Sequence, residues 1–201
     1  METKIVELQS NINLKVPLDF NIDLNLGIDL VKFIKTNNMR VSKRTALVAN
    51  DYGHLGFETL CLGTTNSISY ISNNNEMLEV INQVAYDAFI PFNVRNELTE
   101  DILNYNTEEK FDMAIGIIPT VDNFMEHIHF CKFVLENVDK LGDVYLIEKT
   151  DNKLLKACLV KNGLNYESTY SSENFYIHYL KLQHDNKSSL DLKFLKLKKQ
   201  D

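Results

Sequence analysis

The run "FDMAIGIIP", residues 111–119, limits what this chain can become more than any other feature. Beyond Asp112 its side chains up to Ile118 are apolar or glycine, so a strand here has no polar face to turn toward water. Such a strand belongs in the middle of a sheet that is covered on both sides. Helices on each face of a mostly parallel sheet provide that cover, and they require strands and helices to alternate along the chain.

The flanking sequence alternates in this way. Residues 45–50 and 67–72 read as buried strands, with a short helix at 55–62 between them. A helix over 74–88 carries Met77, Leu78, Ile81, Val84 and Ala85 at helical spacing. A third strand falls at 93–98 and the all-apolar run is the fourth. A helix over 121–138 leads through a Leu141–Gly142 turn to a fifth strand, "DVYLIEKT". Helix 151–162 stops at Gly163, a C-cap residue, before the antiparallel strands "LNYESTY" and "NFYIHYLKL". The pattern implies a doubly wound, Rossmann-like α/β fold with a seven-stranded, mostly parallel sheet.

Ahead of this unit, residues 1–44 read as a β/α extension. Apolar residues from Ile12 to Leu26 alternate with polar ones, which predicts one or two extended strands interrupted at Pro17. "GIDLVKFIKTNN" then predicts a short amphipathic helix ending near Asn37–Asn38. The main unit spans 45–182. Residues 183–201 form a tail in which five lysines are interleaved with leucines and a phenylalanine, read as a loosely ordered extension.

Charge and composition narrow the function. A net charge of −7 and a pI near 5.3 argue against broad nucleic-acid binding, which needs a basic surface, and favour a protein partner with a basic face. No apolar run approaches the roughly 18 residues of a membrane span, and the N-terminus lacks the features of a signal peptide, so the expected location is the cytoplasm. Cys61, Cys131 and Cys158 are widely spaced and read as core residues. His127 and His129, two apart on a helix, point in different directions, and no metal is expected.

The stretch "TALVANDYGHLGFETLCLG" has the strand–loop–helix form of an anion- or cofactor-binding corner, without a glycine at every second position. Five parallel strands followed by an antiparallel pair resemble the class I S-adenosylmethionine-dependent methyltransferase fold over residues 45–182. More narrowly, "ALVANDYGHLG", "SISYIS" and "IIPTVDNF" look like the N-terminal domain of the bacterial rRNA guanine-N2 methyltransferases. In that family two methyltransferase-like copies are fused, and the first is a degenerate copy without cofactor.

Laid over the active family's motifs, the resemblance implies what is missing here. Ala49 stands where the strand should end in an acid. Asp51 replaces the first glycine, Gly53 matches the second and Leu55 fills the third. A carboxylate at Asp51 opposes the cofactor's own carboxylate, and a leucine is expected to take space that should be empty. Ser72 replaces the acid that binds the ribose hydroxyls. Ile117, Ile118 and Pro119 stand in place of an Asn-Pro-Pro amine-binding motif.

These substitutions predict a protein that binds no cofactor, transfers no methyl group and serves as a macromolecular binding module. A partner such as RNA polymerase or the ribosome fits the acidic charge, and an AT-rich composition suits a phage-encoded regulator of transcription. Glu97, Glu100, Asp101, Glu108 and Glu109 are the expected partner-binding cluster. The alternative is a divergent rRNA methyltransferase or RNA-binding domain, with Asn50, Asp51, His54 and Tyr70 lining the cleft. Otherwise Asn50 and Asp51 cap the following helix, His54 is loop surface, and Tyr70 packs.

Overall fold

A computed structural model describes residues 2–9, 11–38, 40–88, 93–118, 124–151, 153–161 and 163–182. Pro119 and the tail 183–201 lie outside the described residues, as does the side chain of Cys158. The chain begins with β1 (Thr3–Glu7), β2 (Asn13–Pro17) and α1 (Leu24–Asn37). It continues through β3 (Thr45–Val48), α2 (His54–Cys61), β4 (Ile68–Ser72), α3 (Asn75–Asp87) and β5 (Val94–Leu98). Then follow β6 (Phe111–Ile118), α4 (Phe124–Asn137), β7 (Val138–Glu148), α5 (Lys153–Lys161), β8 (Leu164–Ser171) and β9 (Tyr176–Leu182).

Seven strands form one sheet in the order β5-β4-β3-β6-β7-β9-β8. The first five in that order are parallel, and β9 runs antiparallel to both β7 and β8. From β3 the chain steps outward to β4 and β5, then returns to β6 on the other side of β3. That reversal opens a crevice at the carboxyl ends of the strands, where ligands bind in open α/β sheets.

β6 is the central strand that its composition requires: every residue except Asp112 is buried, and Ile115 pairs with Leu47 of β3 and Tyr145 of β7. One sheet face packs Leu47, Ile115 and Tyr145 under α1, α2 and α3, through Leu30, Ile34, Leu55 and Ile81. The other packs Ala46, Ala114 and Leu146 under Phe130 and Phe133 of α4 and Leu159 of α5. Each large apolar side chain so buried contributes roughly 1.5–3 kcal/mol. Gly116 lets α4 approach, since a Cβ there would lie 2.6 Å from the Phe130 ring. Cys131 is fully buried in this layer, and Cys61 is half-buried.

The N-terminal reading needs correction. β1 and β2 form a separate antiparallel pair, and extended structure ends at Pro17 rather than continuing to Leu26. Leu18 and Leu24 are exposed while Phe20 and Ile22 pack partly against the core, so the period-two pattern does not mark one continuous buried face there. Asp23 starts a helix instead: its carboxylate accepts the Leu26 amide at 2.9 Å, and Leu26, Leu30 and Ile34 then fall on one buried stripe. The Leu141–Gly142 turn is absorbed into β7, which begins at Val138 and bulges where Phe111 and Met113 of β6 face Val138 and Asp143.

Candidate functional site: the corner after β3

β3 delivers Ala49, buried, to the crevice, and its amide still bonds to Ile71 across the sheet. The next residues are held by hydrogen bonds to their neighbours. Asn50 Oδ1 accepts from the Ser72 hydroxyl at 2.8 Å, Ser72 Oγ accepts the Asn74 amide at 2.9 Å, and Asn74 Nδ2 donates to the Asn50 carbonyl at 3.2 Å. Ser72 is completely buried in this lock. The gap between the β3 loop and the end of β4 is thereby spanned by side chains.

Asn50 and Asp51 are not helix caps. Gly53 occupies the N-cap position of α2, and the Asp51 carboxylate accepts from Asn21 Nδ2 at 3.0 Å. Tyr52 takes φ of 58°, the left-handed region, and sets its ring edge-on to Phe175 at 5.5 Å. Burial, with the charges of Asp51 and Asp23, raises its pKa. Tyr70 packs as expected, completely buried, and its hydroxyl donates to the Gly53 carbonyl at 2.8 Å. The glycines accommodate this packing: a Cβ at Gly53 would meet Ile81 at 2.3 Å, and one at Gly56 would meet the Tyr70 hydroxyl at 2.1 Å.

Leu55 is wholly buried in the core, on the side facing Gly27 of α1. One further expectation is overturned. His54 is wholly buried rather than loop surface, with Nε2 3.0 Å from the Asp23 carbonyl. Burial lowers its pKa to about 4, so the ring is neutral near pH 7; Nε2 also lies 3.3 Å from the Asp23 amide, and it bonds to the carbonyl or the amide according to which ring nitrogen carries the proton. It joins the start of α2 to the cap of α1. Ile117 and Ile118 end β6 in buried positions, one in each core layer. A cleft of about 310 Å³ opens beside the corner, lined by Asp23, Tyr52, Lys149 and Phe175 among others.

No protein-family model and no curated protein matches the sequence. Solved structures do. The ribosomal protein L11 methylase of Lactobacillus delbrueckii subsp. bulgaricus superposes with a TM-score of 0.68 at 13% identity, covering 84% of this chain and 84% of that one. A methyltransferase from Pyrococcus furiosus gives 0.67 at 12% identity, over 86% of this chain and 89% of that one. The N-methyltransferase NodS of Bradyrhizobium japonicum gives 0.61 at 10% identity, over 80% and 96%. The fold is that of the class I methyltransferases.

Within the methyltransferase fold the five acidic residues do not make one patch. Glu97, Glu100 and Asp101 lie at the carboxyl end of β5, whereas Glu108 and Glu109 lie just before β6, at the opposite end of the parallel sheet. A crossover between parallel strands must run back along the sheet, and residues 99–110 make that return. Glu97 accepts a short hydrogen bond from the Tyr105 hydroxyl, and Asp101 Oδ1 caps a 3-10 turn by accepting the Leu103 amide. Glu109 pairs with Arg44 at 2.9 Å. Glu100 and Glu108 are exposed.

Spacing along the chain did not reveal a second group. Glu148 at the end of β7 is 3% exposed and sits between two imidazoles. His178 Nε2 of β9 lies 2.6 Å from Oε1, and His127 Nε2 of α4 lies 3.1 Å from Oε2. Both histidines are buried as well. His127 and His129 are not brought to a common point, since His127 turns inward and His129 is only partly buried. The residues that do meet are 21 and 30 positions apart, and only the strand order β6-β7-β9 assembles them.

Proposed function

We propose that this chain is a methyltransferase-like domain that does not transfer methyl groups and acts as a macromolecular binding module. The observation that supports this reading best is the Asn50–Ser72–Asn74 lock, with the Asp51 carboxylate beside it. In the resembled enzymes the cofactor's ribose and amino-acid ends are held at these places by an acid and by open glycine backbone. Here the hydroxyl and amide groups of the corner bond to one another, and displacing them exposes buried Ser72. A second carboxylate brought near Asp51 adds repulsion. The residues present do not fit S-adenosylmethionine.

The acidic charge supports a partner with a basic surface, the class to which RNA polymerase and the ribosome belong. Its sharper form is a phage-encoded regulator of transcription. A second reading, a divergent methyltransferase of a ribosomal or RNA substrate, draws on the 310 Å³ cleft beside Tyr52 and on neighbours such as the ribosomal protein L11 methylase. Calorimetry with S-adenosylmethionine separates the two. The binding-module reading expects no affinity tighter than millimolar, and micromolar binding overturns it. Affinity capture from a bacterial lysate with mass spectrometry then identifies the partner.

A further inference from the structure

We propose that His178, Glu148 and Asp151 form a binding site for one divalent transition-metal ion, zinc by ligand type, at the carboxyl end of β7. Their ligand atoms all lie within 4.8 Å of one another. The set is one imidazole and two carboxylates, the mixed nitrogen–oxygen chemistry that zinc accepts, and three protein ligands leave a fourth position for water or a ligand atom. This site is independent of the corner after β3 and of the function proposed for it.

The geometry is close to what the ion needs. Tetrahedral zinc with bonds of about 2.0–2.1 Å places its donor atoms about 3.3 Å apart. His178 and Glu148, at 2.6 Å, would separate by roughly 0.7 Å, and Asp151 would move in by up to roughly 1.5 Å. Asp151 is able to move because it is exposed and sits just beyond the end of β7. Its pairing with Lys156 joins two partly exposed groups, so releasing that lysine costs little.

The surroundings of the two buried ligands favour the ion as well. Oε2 of Glu148 is held by His127 Nε2 at 3.1 Å, which leaves Oε1 facing His178. On the far side of the His178 ring, Nδ1 contacts the Tyr166 hydroxyl closely and Thr169 Oγ1 at 3.1 Å. Hydroxyls donate or accept equally well. With no ion bound, the Tyr166 hydroxyl can donate to Nδ1, itself accepting from the Thr169 hydroxyl, while Nε2–H donates to Glu148. With an ion bound, Nδ1–H donates to a hydroxyl and the Nε2 lone pair is free for the metal. A partner on the second ring nitrogen is the support that ligating histidines ordinarily have.

Full-length protein is stripped with chelator and titrated with zinc chloride by calorimetry, then with cobalt chloride by visible absorption. The expected result is one zinc per chain at micromolar or tighter affinity and a cobalt spectrum of nitrogen–oxygen ligation. Asp151→Asn, a change at an exposed position that leaves the melting temperature of the stripped protein intact, should weaken zinc binding at least tenfold. His178→Gln should abolish it. Absence of binding at 100 μM zinc, unchanged affinity in Asp151→Asn, or a sulfur-to-cobalt charge-transfer band pointing to a cysteine would each overturn the site.

Discussion

The corner after β3 and the corner after β7 lie on the same edge of the sheet, two strands apart, and are built from contrasting groups. The first is closed by neutral side chains: two asparagines, a serine and a tyrosine bond to each other and to backbone, around a buried histidine that burial keeps uncharged. The second gathers a carboxylate and two imidazoles in the interior, with a further carboxylate at its rim. The two corners thus differ in kind, one held by neutral hydrogen bonds and the other by ionisable groups. Neutral hydrogen bonds suffice to hold a loop, and each contributes only about 1 kcal/mol. A buried carboxylate is costly unless it is partnered, and at the second corner the two imidazoles supply the partners of Glu148.

The largest expected effect removes both corners together. Ile115 is fully buried and pairs with Leu47 of β3 on one side and Tyr145 of β7 on the other, so it ties the two corners to one sheet. Ile115→Asp buries an unpaired carboxylate costing several kcal/mol, against a total stability of about 5–15 kcal/mol. Circular dichroism should show loss of the cooperative unfolding transition. A soluble variant with an unchanged melting temperature would contradict the central placement of β6.

A smaller effect distinguishes the corners by pH. His54 has a folded pKa of about 4 against about 6.5 in an unfolded chain, so between those values the unfolded state binds the extra proton. Its contribution is complete above pH 6.5 and is lost as pH falls toward 4, by about 3 kcal/mol in total. Glu58, whose pKa burial raises, acts in the opposite sense over part of this range, which makes the difference between wild type and variant the informative quantity. Urea melts at several pH values should show that His54→Gln flattens the loss between pH 6.5 and 4. Equal slopes in the two proteins would mean that His54 is not buried neutral.

Most of the architecture was legible because it rests on local patterns. The apolar run at 111–118, the helical spacing of Met77, Leu78, Ile81, Val84 and Ala85, and the stop at Gly163 each report the environment of their own segment. The N-terminal alternation misled because Pro17 ends β2 and the Asp23 cap starts α1, so Leu26 belongs to a helical stripe with Leu30 and Ile34 rather than to a strand face. At the first corner, the positions Ala49, Asp51, Gly53 and Ser72 were visible through the resemblance, but their bonds were not. Leu55 and His54 turn into the core because α2 starts at His54 and packs on α1, a tertiary fact. The His127–Glu148–His178 group had no signal in spacing, since its members come from three elements.

The smallest expected change in stability is the one that tests where a partner docks, and it asks whether either corner is involved. Glu100 at the carboxyl end of β5 and Glu108 at the entry to β6 are exposed and lie at opposite ends of the sheet. Glu97 is excluded from the test because its carboxylate holds Tyr105, and reversing it would disturb the packing of the 99–110 connection. Glu100→Lys and Glu108→Lys, made separately, should leave the melting temperature unchanged, since isolated surface charges contribute little. Their effects on association with a captured partner should differ. Glu100 shares the edge that carries both corners, so weaker binding in Glu100→Lys alone, with a shallower salt dependence, places the partner over that edge. Weaker binding in Glu108→Lys alone places it at the far end and separates docking from both corners. Equal affinities for both variants and the wild type, at every salt concentration, would remove these acids from the interface.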